Sequence, residues 1–288
     1  MGGVLSRGGA VSAEDREFAY SAADFEQVRS LLYQRAGISL AASKASMVYS
    51  RLARRLRALR LTSFRQYFAY LHEHEDELEQ FTNALTTNLT SFFREEHHFP
   101  MLAAHLQRLY REQRRPLRIW CTASSTGEEP YSLAMTAVEA FDCSTPPVTI
   151  LASDIDTKVL AHAAAGIYEL ERLSGLDEQR KRRFFLRGRG SHEGQARVKD
   201  ELRQLLQFRQ INLLAPDWPV KGGLDAIFCR NVMIYFDRPT QLQLLGRLMP
   251  LLQPEGLFFA GHSESFGHAG HLVKLIGRTV YRHAGVAP

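Results

Sequence analysis

The 288-residue sequence has no apolar run long enough to cross a bilayer, and it has only three cysteines. A membrane-spanning helix needs about 20 consecutive apolar residues, so membrane insertion is not expected. The first ten residues also lack the apolar core of a secretory signal. Cys121, Cys143 and Cys229 have the spacing of neither a disulfide framework nor a zinc site. We therefore expect a reduced, cytoplasmic protein without a metal site.

The sequence also lacks a strong excess of either charge, since 36 lysines and arginines stand against 31 aspartates and glutamates. The net charge of +5 is typical of a solvated surface and does not by itself indicate a nucleic-acid partner. Hydrophobic residues make up 45% of the chain, which is ordinary for a globular protein of one or two domains.

Glycine is scarce in the most informative segment, Trp120–Tyr131, which lacks the three-glycine spacing of a common dinucleotide-binding loop. This segment follows a strand-like stretch and leads into a helical pattern. It is therefore a polar turn at the carboxyl end of a strand, where open α/β sheets bind ligands. Its meaning depends on which other segments reach the same edge of the sheet.

The amino-terminal part of the chain is rich in helical patterns. Residues 1–20 contain few large apolar side chains and predict a mobile tail. Apolar residues at three- and four-residue spacing then predict three helices, starting near Ala23, Lys44 and Ser63, the last continuing to Leu85. These patterns predict a small all-α domain over residues 21–92.

Residues 93–288 show strand-like and helical segments in alternation, which predicts an α/β domain with a mainly parallel sheet. A charged stretch over residues 168–207 interrupts the alternation and predicts a small β-rich insertion, and Arg278–His283 is predicted as a closing strand. The strands predicted for the main sheet are Leu117–Thr122, Val148–Ser153, Phe208–Leu213, Leu224–Cys229 and Leu257–Ala260.

Polar residues follow several of these strands. Asp154 could accept hydrogen bonds from the hydroxyls of a ribose, or it could cap the next helix. Asn212 could bind an adenine edge, and Tyr235 could either face a ligand or pack in the interior. Thr90 and Arg94, before the sheet domain, are four residues apart and would share one face of a helical turn.

Five segments of the chain are informative when taken together and in order: Asn88–Arg94, Trp120–Ser132, Ala152–Asp156, Phe228–Phe236 and Gly261–Ser265. Together they resemble the chemotaxis-receptor glutamate methyltransferases, the CheR family. The resemblance extends from about Ala23 to Tyr281. It implies an α/β fold: a Rossmann-like S-adenosylmethionine-dependent methyltransferase domain with a small antiparallel β insertion, preceded by a small all-α domain.

The resemblance implies transfer of a methyl group from S-adenosylmethionine to glutamate side chains of chemoreceptors, which yields methyl esters used in signal adaptation and S-adenosylhomocysteine. It implies that Glu129 binds the ammonium group of the cofactor and Asp154 its ribose. Tyr235 would stand beside the transferred methyl group, and Arg94 would close the site and contact the cofactor carboxylate. The other cofactor-binding residues that it implies are Asn88, Thr90, Asn212, Leu213, Arg230 and Asn231.

The second predicted helix carries a basic face that could dock an acidic receptor helix, or could simply be solvated. Its candidate docking residues are Arg51, Arg54, Arg55 and Arg57. The expected partner is the cytoplasmic domain of a chemoreceptor. The resemblance also allows a carboxyl-terminal tethering peptide of the receptor to bind the β insertion. A monomer without a nucleic-acid partner is expected.

Four other readings of the sequence are weaker. The segment Gly261–Ser265 is faintly similar to a hydrolase nucleophile elbow but ends in serine instead of glycine. A nucleic-acid methyltransferase would show an Asp/Asn-Pro-Pro-aromatic segment, where this chain has Asn231–Ile234. The histidines of His72–His74 and His97–His98 lack the spacing of a two-histidine metal site. A non-catalytic scaffold would have no need of the residues that the resemblance places in the site.

Overall fold

The computed structural model describes residues 16–285, which form two compact units. The first comprises residues 16–34 and Leu40–Leu85, and the second comprises Arg35–Ser39 and residues 86–285. The sequence interpretation placed the domain boundary after residue 92. The structure assigns residues 86–92 to the second unit, because Phe92 is buried in its core.

The first unit is helical. The prediction of one helix from Ser63 to Leu85 is wrong, because His74 has an extended backbone, with φ −129° and ψ 98°. Three acidic residues directly after it favour a new helix start. Of the predicted tail, residues 1–15 lie outside the described residues, whereas Phe18 is buried and donates its amide to the Tyr49 hydroxyl. The helices are α1 (Ala22–Ala36), α2 (Ala45–Leu59), α3 (Phe64–Glu73) and α4 (Glu75–Leu85).

The second unit contains a seven-stranded sheet with helices on both faces, which confirms the predicted α/β class. Its strands are β1 (Leu117–Cys121), β2 (Val148–Asp154), β6 (Leu206–Gln210), β7 (Leu224–Cys229), β8 (Leu252–Ala260), β9 (Val273–Gly277) and β10 (Val280–His283). They stand in the order β6-β2-β1-β7-β8-β10-β9. The first five in this order are parallel, whereas β10 is antiparallel to both of its neighbours.

The sequence of β1 shows why the sheet is covered on both faces. Successive side chains of a strand point to opposite faces. Ile119 and Cys121 accordingly belong to one apolar cluster, whereas Trp120 belongs to a second one. All six residues of β7 are buried, as expected for a central parallel strand. The helices of this unit are α5 (His98–Gln113), α6 (Glu128–Phe141), α7 (Thr157–Ala165), α8 (Glu178–Phe184), α9 (Asp200–Arg203) and α10 (Arg238–Leu248).

The predicted β insertion is confirmed as a separate antiparallel sheet of three strands. Its strands are β3 (Ile167–Glu169), β4 (Phe185–Arg187) and β5 (Gln195–Val198), with β5 in the middle. In the main sheet, β6 ends at Gln210, so the predicted strand to Leu213 is wrong at that end. Strand β9 was not predicted. None of the described helices has the length and apolar character needed to cross a membrane.

The order of the strands fixes where a ligand can bind. The chain leads from β1 outward to β2, and later crosses from β6 to β7 on the other side of β1. Such a reversal leaves a crevice at the carboxyl ends of the two strands that flank it, here β1 and β7. We refer to it as the switch-point crevice.

Candidate functional site

The loop after β1 contains a single glycine and leads to a glutamate at the switch-point crevice. Gly127 has φ +101° and directly precedes α6, and a β-carbon there would lie 2.5 Å from the Tyr168 hydroxyl. The next two residues, Glu128 and Glu129, form the first turn of α6. Glu128 is buried and paired with Arg172, whereas Glu129 keeps 11% of its side chain exposed. Glu129 is therefore the glutamate available to a ligand.

Arg230, directly after β7, joins two carboxylates across the crevice. Its side chain is fully buried, with one guanidinium nitrogen 2.9 Å from Glu129 and another 3.5 Å from Glu95. The same guanidinium donates a hydrogen bond to the carbonyl oxygen of Arg94. Two carboxylates thus share one guanidinium, so these three groups together carry a net negative charge when both carboxylates are ionised. A site of this kind favours a cationic group such as an ammonium.

The pKa values of the two carboxylates agree with this arrangement. Burial raises the pKa of Glu129, and the charge of Arg230 opposes the rise. Burial also works against ionisation of Glu95, but hydrogen bonds from the His262 backbone and ring, together with Arg230, lower the Glu95 pKa to about 2. Glu95 is therefore the permanently charged partner of Arg230, and Glu129 is the one whose charge a ligand would stabilise.

Glu95, His97 and His98 also place three ligand atoms within 4.8 Å of one another. The Arg230 guanidinium, 3.5 Å from Glu95, already neutralises the carboxylate of this group. A metal ion here would stand beside a buried positive charge, which disfavours the site.

Asp154 lies at the end of β2, beside the loop that follows β1. Its carboxylate accepts the amides of Ser125 at 2.8 Å and Asp156 at 3.0 Å. Burial raises the pKa of Asp154 to about 6, so the group is mainly ionised at neutral pH. The helix cap that was the alternative reading is Asp156, which accepts the amides of Lys158 and Val159. Asp154 keeps free lone pairs that suit the two hydroxyls of a ribose.

The segment before α5 differs from the prediction. The helical turn predicted over Thr90–Arg94 is absent, and Phe93 has φ +53°. Phe92 and Phe93 are both buried, and the left-handed backbone of Phe93 interrupts a helical turn at this point. Phe92 packs against aromatic rings of the β insertion, and Phe93 donates its amide to Ser132 of α6. The segment is therefore anchored at its centre, so its flanking residues have defined positions.

The polar residues of this segment have identifiable partners. The Asn88 amide donates to Asp156 at 3.0 Å, and the carbonyl oxygen of Thr90 accepts from Arg172. Arg94 donates to the carbonyl of Leu89, and its charge lowers the Glu129 pKa in opposition to burial. Asn88 thus positions the segment, and the charge of Arg94 acts on Glu129.

The loop after β6 contains Asn212 and Leu213. The Asn212 side chain donates to the carbonyl of Arg35 at 2.7 Å and accepts the amide of Leu214 at 2.9 Å. Both ends of this amide are therefore used within the protein. Ser39 donates its amide to the carbonyl of Tyr235 at 3.0 Å. The segment Arg35–Ser39 thus ties the Asn212 and Tyr235 loops together, a role that sequence reasoning missed.

Glu264 is the second functional residue that sequence reasoning missed. It is 5% exposed, and its carboxylate accepts the backbone amides of four residues. Three belong to the loop after β7, and Gly261 provides the fourth. A β-carbon at Gly261 would lie 2.2 Å from the Asn231 side-chain nitrogen. The motif Gly-His-Ser-Glu-Ser therefore fixes the loop that leads from Arg230 to Tyr235, and its signal was a glutamate in a glycine- and serine-rich turn.

Tyr235 ends a short 3₁₀ turn, Met233–Tyr235. It is half-buried, and its hydroxyl forms no hydrogen bond within residues 16–285. The serine of the hydrolase alternative, Ser263, is exposed and has no histidine hydrogen-bond partner in the same range. Tyr235 therefore offers a phenol hydroxyl that is not used within the described residues, whereas nothing in the same range activates Ser263 as a nucleophile.

Comparison with known proteins gives a consistent result. Residues 88–282 match the family described as CheR methyltransferase, SAM binding domain, and residues 23–86 match CheR methyltransferase, all-alpha domain. A "Chemotaxis protein methyltransferase 2" of Pseudomonas aeruginosa is 62% identical over 94% of this chain and 96% of its own length. The "Chemotaxis protein methyltransferase" of Escherichia coli is 52% identical over 91% of both chains.

Proposed function

Since this chain belongs to the CheR methyltransferase family, we propose that it transfers the methyl group of S-adenosylmethionine to glutamate side chains of chemoreceptors. The single observation that carries the proposal is the array of Glu129, Arg230 and Glu95 at the switch-point crevice. Its excess negative charge fits the ammonium group of the cofactor. Ser124, whose buried hydroxyl has no partner among the described residues, adds an unused polar group in the same loop.

Different residues of the chain would bind different parts of the cofactor. Glu129 would hold the ammonium group, Arg94 the carboxylate and Asp154 the ribose hydroxyls. Asn212 and Leu213 would line the adenine. When bound, the cofactor supplies a methyl group on a positively charged sulfur.

The reaction needs no strong base from the protein. A glutamate side chain has a reference pKa near 4.3, so the substrate carboxylate is already ionised at neutral pH. The protein must instead exclude water and aim the carboxylate. The Tyr235 hydroxyl can donate a hydrogen bond that aims it without neutralising its charge. Arg94 is better used on the cofactor, because a direct ion pair would weaken the nucleophile.

The function is tested by incubating the protein with methyl-labelled S-adenosylmethionine and cytoplasmic fragments of candidate receptors. Label that is released by mild base identifies glutamate esters. Label on the receptor that resists base would indicate N-methylation, and label on added nucleic acid would indicate the nucleic-acid alternative. Either result would contradict the proposal.

Replacing Tyr235 by phenylalanine should lower kcat by about 10- to 100-fold, as expected for the loss of one aiming contact. The dissociation constant of S-adenosylmethionine should change by less than about threefold, because the Tyr235 hydroxyl is assigned to the substrate. Steady-state kinetics and calorimetry measure the two values. Tyr110→Phe, on α5, is the matched control. A loss confined to cofactor affinity would refute the placement of Tyr235.

The docking proposal for the basic face of α2 rests on two of its four arginines. Arg54 and Arg57 are exposed, although Arg57 pairs with Glu17 at the surface. Arg55 has a structural role, because its guanidinium makes two hydrogen bonds to the buried Glu77. Arg51 donates to the carbonyl of Ala84 at 3.2 Å within the same unit. Arg54 and Arg57 are therefore the better candidates for contact with an acidic receptor helix.

The double substitution Arg54→Glu with Arg57→Glu should raise the KM for receptor by about tenfold or more at low salt, with the effect declining as salt rises. Cofactor affinity should not change. Arg29→Glu with Arg65→Glu, an equal change of net charge on residues of the first unit outside α2, serves as the control. Equal receptor kinetics for the two double variants would show that α2 does not dock the substrate.

We also propose that the β insertion receives a receptor peptide and that the enzyme acts as a monomer. Strand β4 pairs with β5 on one side, and no described strand pairs with its other side. Leu186 of β4 is 54% exposed. A cavity of about 820 Å³ lies beside β4, and basic residues in its lining suit an acidic peptide added as an edge strand. These residues are Arg182, Arg187, Arg189 and Lys199.

A further inference from the structure

The guanidinium of Arg247, on α10, binds the backbone of one loop of the site. It forms no ion pair within residues 16–285, and burial lowers its pKa. Its guanidinium donates to three carbonyl oxygens, those of Leu213 at 3.2 Å, Ala215 at 2.7 Å and Pro216 at 2.9 Å. All three acceptors belong to the loop that follows β6. A half-buried guanidinium with three carbonyl acceptors on one loop fixes the shape of that loop.

Trp218 extends this contact to the sheet. The Arg247 guanidinium lies 3.9 Å from the centre of the Trp218 ring. Trp218 donates its indole N–H to the carbonyl of Asn212 at 3.2 Å, and its ring packs edge-on against Trp120 at 5.3 Å. Trp120 is fully buried in β1 and is held by Ser153. A continuous stack therefore connects α10 with β1 beneath the loop.

We infer that Arg247, together with Trp218, is a positioning residue that holds the loop of residues 212–218 in the form that receives the adenine. This inference rests on the proposed function, which assigns Asn212 and Leu213 to the adenine. Without the guanidinium the loop would become ordered only when the ligand binds. The conformational entropy lost in that ordering would weaken the affinity for the ligand. Arginine is required because a planar fork can meet several carbonyls and a ring face at once.

The test compares Arg247→Met with Arg118→Met. Arg118 donates to two loop carbonyls, those of Lys221 and Gly222, at the opposite, amino-terminal end of the parallel strands. Its loss should cost similar stability without touching the adenine loop. Calorimetry with 5′-methylthioadenosine, which keeps the adenosine part of the cofactor but lacks the amino acid part, measures the effect. We expect its dissociation constant to rise about tenfold in Arg247→Met and to stay unchanged in Arg118→Met.

Intrinsic fluorescence adds a second readout. Trp120 and Trp218 are the two tryptophans of the chain, and both belong to the stack. Emission of the ligand-free protein should therefore change in Arg247→Met and not in Arg118→Met. At saturating cofactor, kcat should stay within about twofold of the wild type, since Arg247 does not touch the reacting atoms.

Two further variants keep the inference testable if Arg247→Met folds poorly. Arg247→Lys and Trp218→Phe should each weaken 5′-methylthioadenosine binding by a smaller factor. Unchanged affinity in every Arg247 and Trp218 variant, with lowered thermal stability alone, would overturn the inference. Failure of the wild-type protein to bind S-adenosylmethionine would instead overturn the proposed function, so the two failures are distinguishable.

Discussion

Replacing Arg230 by methionine is expected to lower the free energy of unfolding by about 3–5 kcal/mol and to abolish measurable cofactor binding. The side chain is fully buried between Glu129 and Glu95, so its removal takes away the counter-charge that the two carboxylates share. A ligand that brings one ammonium group cannot replace the lost guanidinium for both of them. Chemical denaturation measures the stability, and calorimetry measures the binding.

A matched ion pair outside the site separates the two effects. Asp225 is fully buried and accepts two hydrogen bonds from Arg115, at 2.6 and 3.0 Å. Arg115→Met should therefore destabilise the protein to a comparable extent while the folded fraction binds S-adenosylmethionine normally. Adding Glu95→Gln to Arg230→Met should recover part of the stability, because one of the two stranded carboxylates is then neutral. Normal cofactor affinity in Arg230→Met would contradict the role of Arg230 in the site.

The sequence predicted those parts of the fold and the site that depend on local pattern. The alternating strands and helices were sufficient to place Glu129, Asp154 and Arg230 at one edge of a parallel sheet, because strand ends converge there whatever their order. Their roles came from the resemblance to the CheR family. Contacts between residues that are close in the chain also follow local rules. Asp156, which caps the start of α7, follows the rule for helix caps.

The sequence did not reveal the supports of the site, because these join segments that are far apart in the chain. Glu264 holds the backbone of residues 231–233, more than thirty positions earlier. The carbonyl of Arg35 holds Asn212 across 177 positions. Local pattern also misled over Thr90–Arg94, where burial of Phe92 and Phe93 outweighs the spacing that favours a helical turn. Such contacts are set by tertiary packing and have no periodic signature.

Glu129→Gln should weaken S-adenosylmethionine binding by about 10- to 100-fold, since a hydrogen bond to a charged group contributes about 1.5–3 kcal/mol. The substitution keeps the shape of the side chain but removes the one excess negative charge that Glu129, Glu95 and Arg230 hold together. Arg230 keeps Glu95 as its partner, so the fold should be retained. Calorimetry of the variant gives the affinity directly.

Comparing the affinities of two ligands shows which part of the cofactor Glu129 binds. 5′-Methylthioadenosine lacks the ammonium group, so Glu129→Gln should leave its dissociation constant within about twofold of the wild type. Asp154→Asn should behave in the opposite way and weaken both ligands, because both carry the ribose. If Glu129→Gln weakened the two ligands equally, the carboxylate would act on the shape of the crevice and not on the ammonium group. If Asp154→Asn spared 5′-methylthioadenosine, the ribose would bind elsewhere. The roles of the residues at the switch-point crevice would then have to be assigned again, starting from the amino acid end of the cofactor.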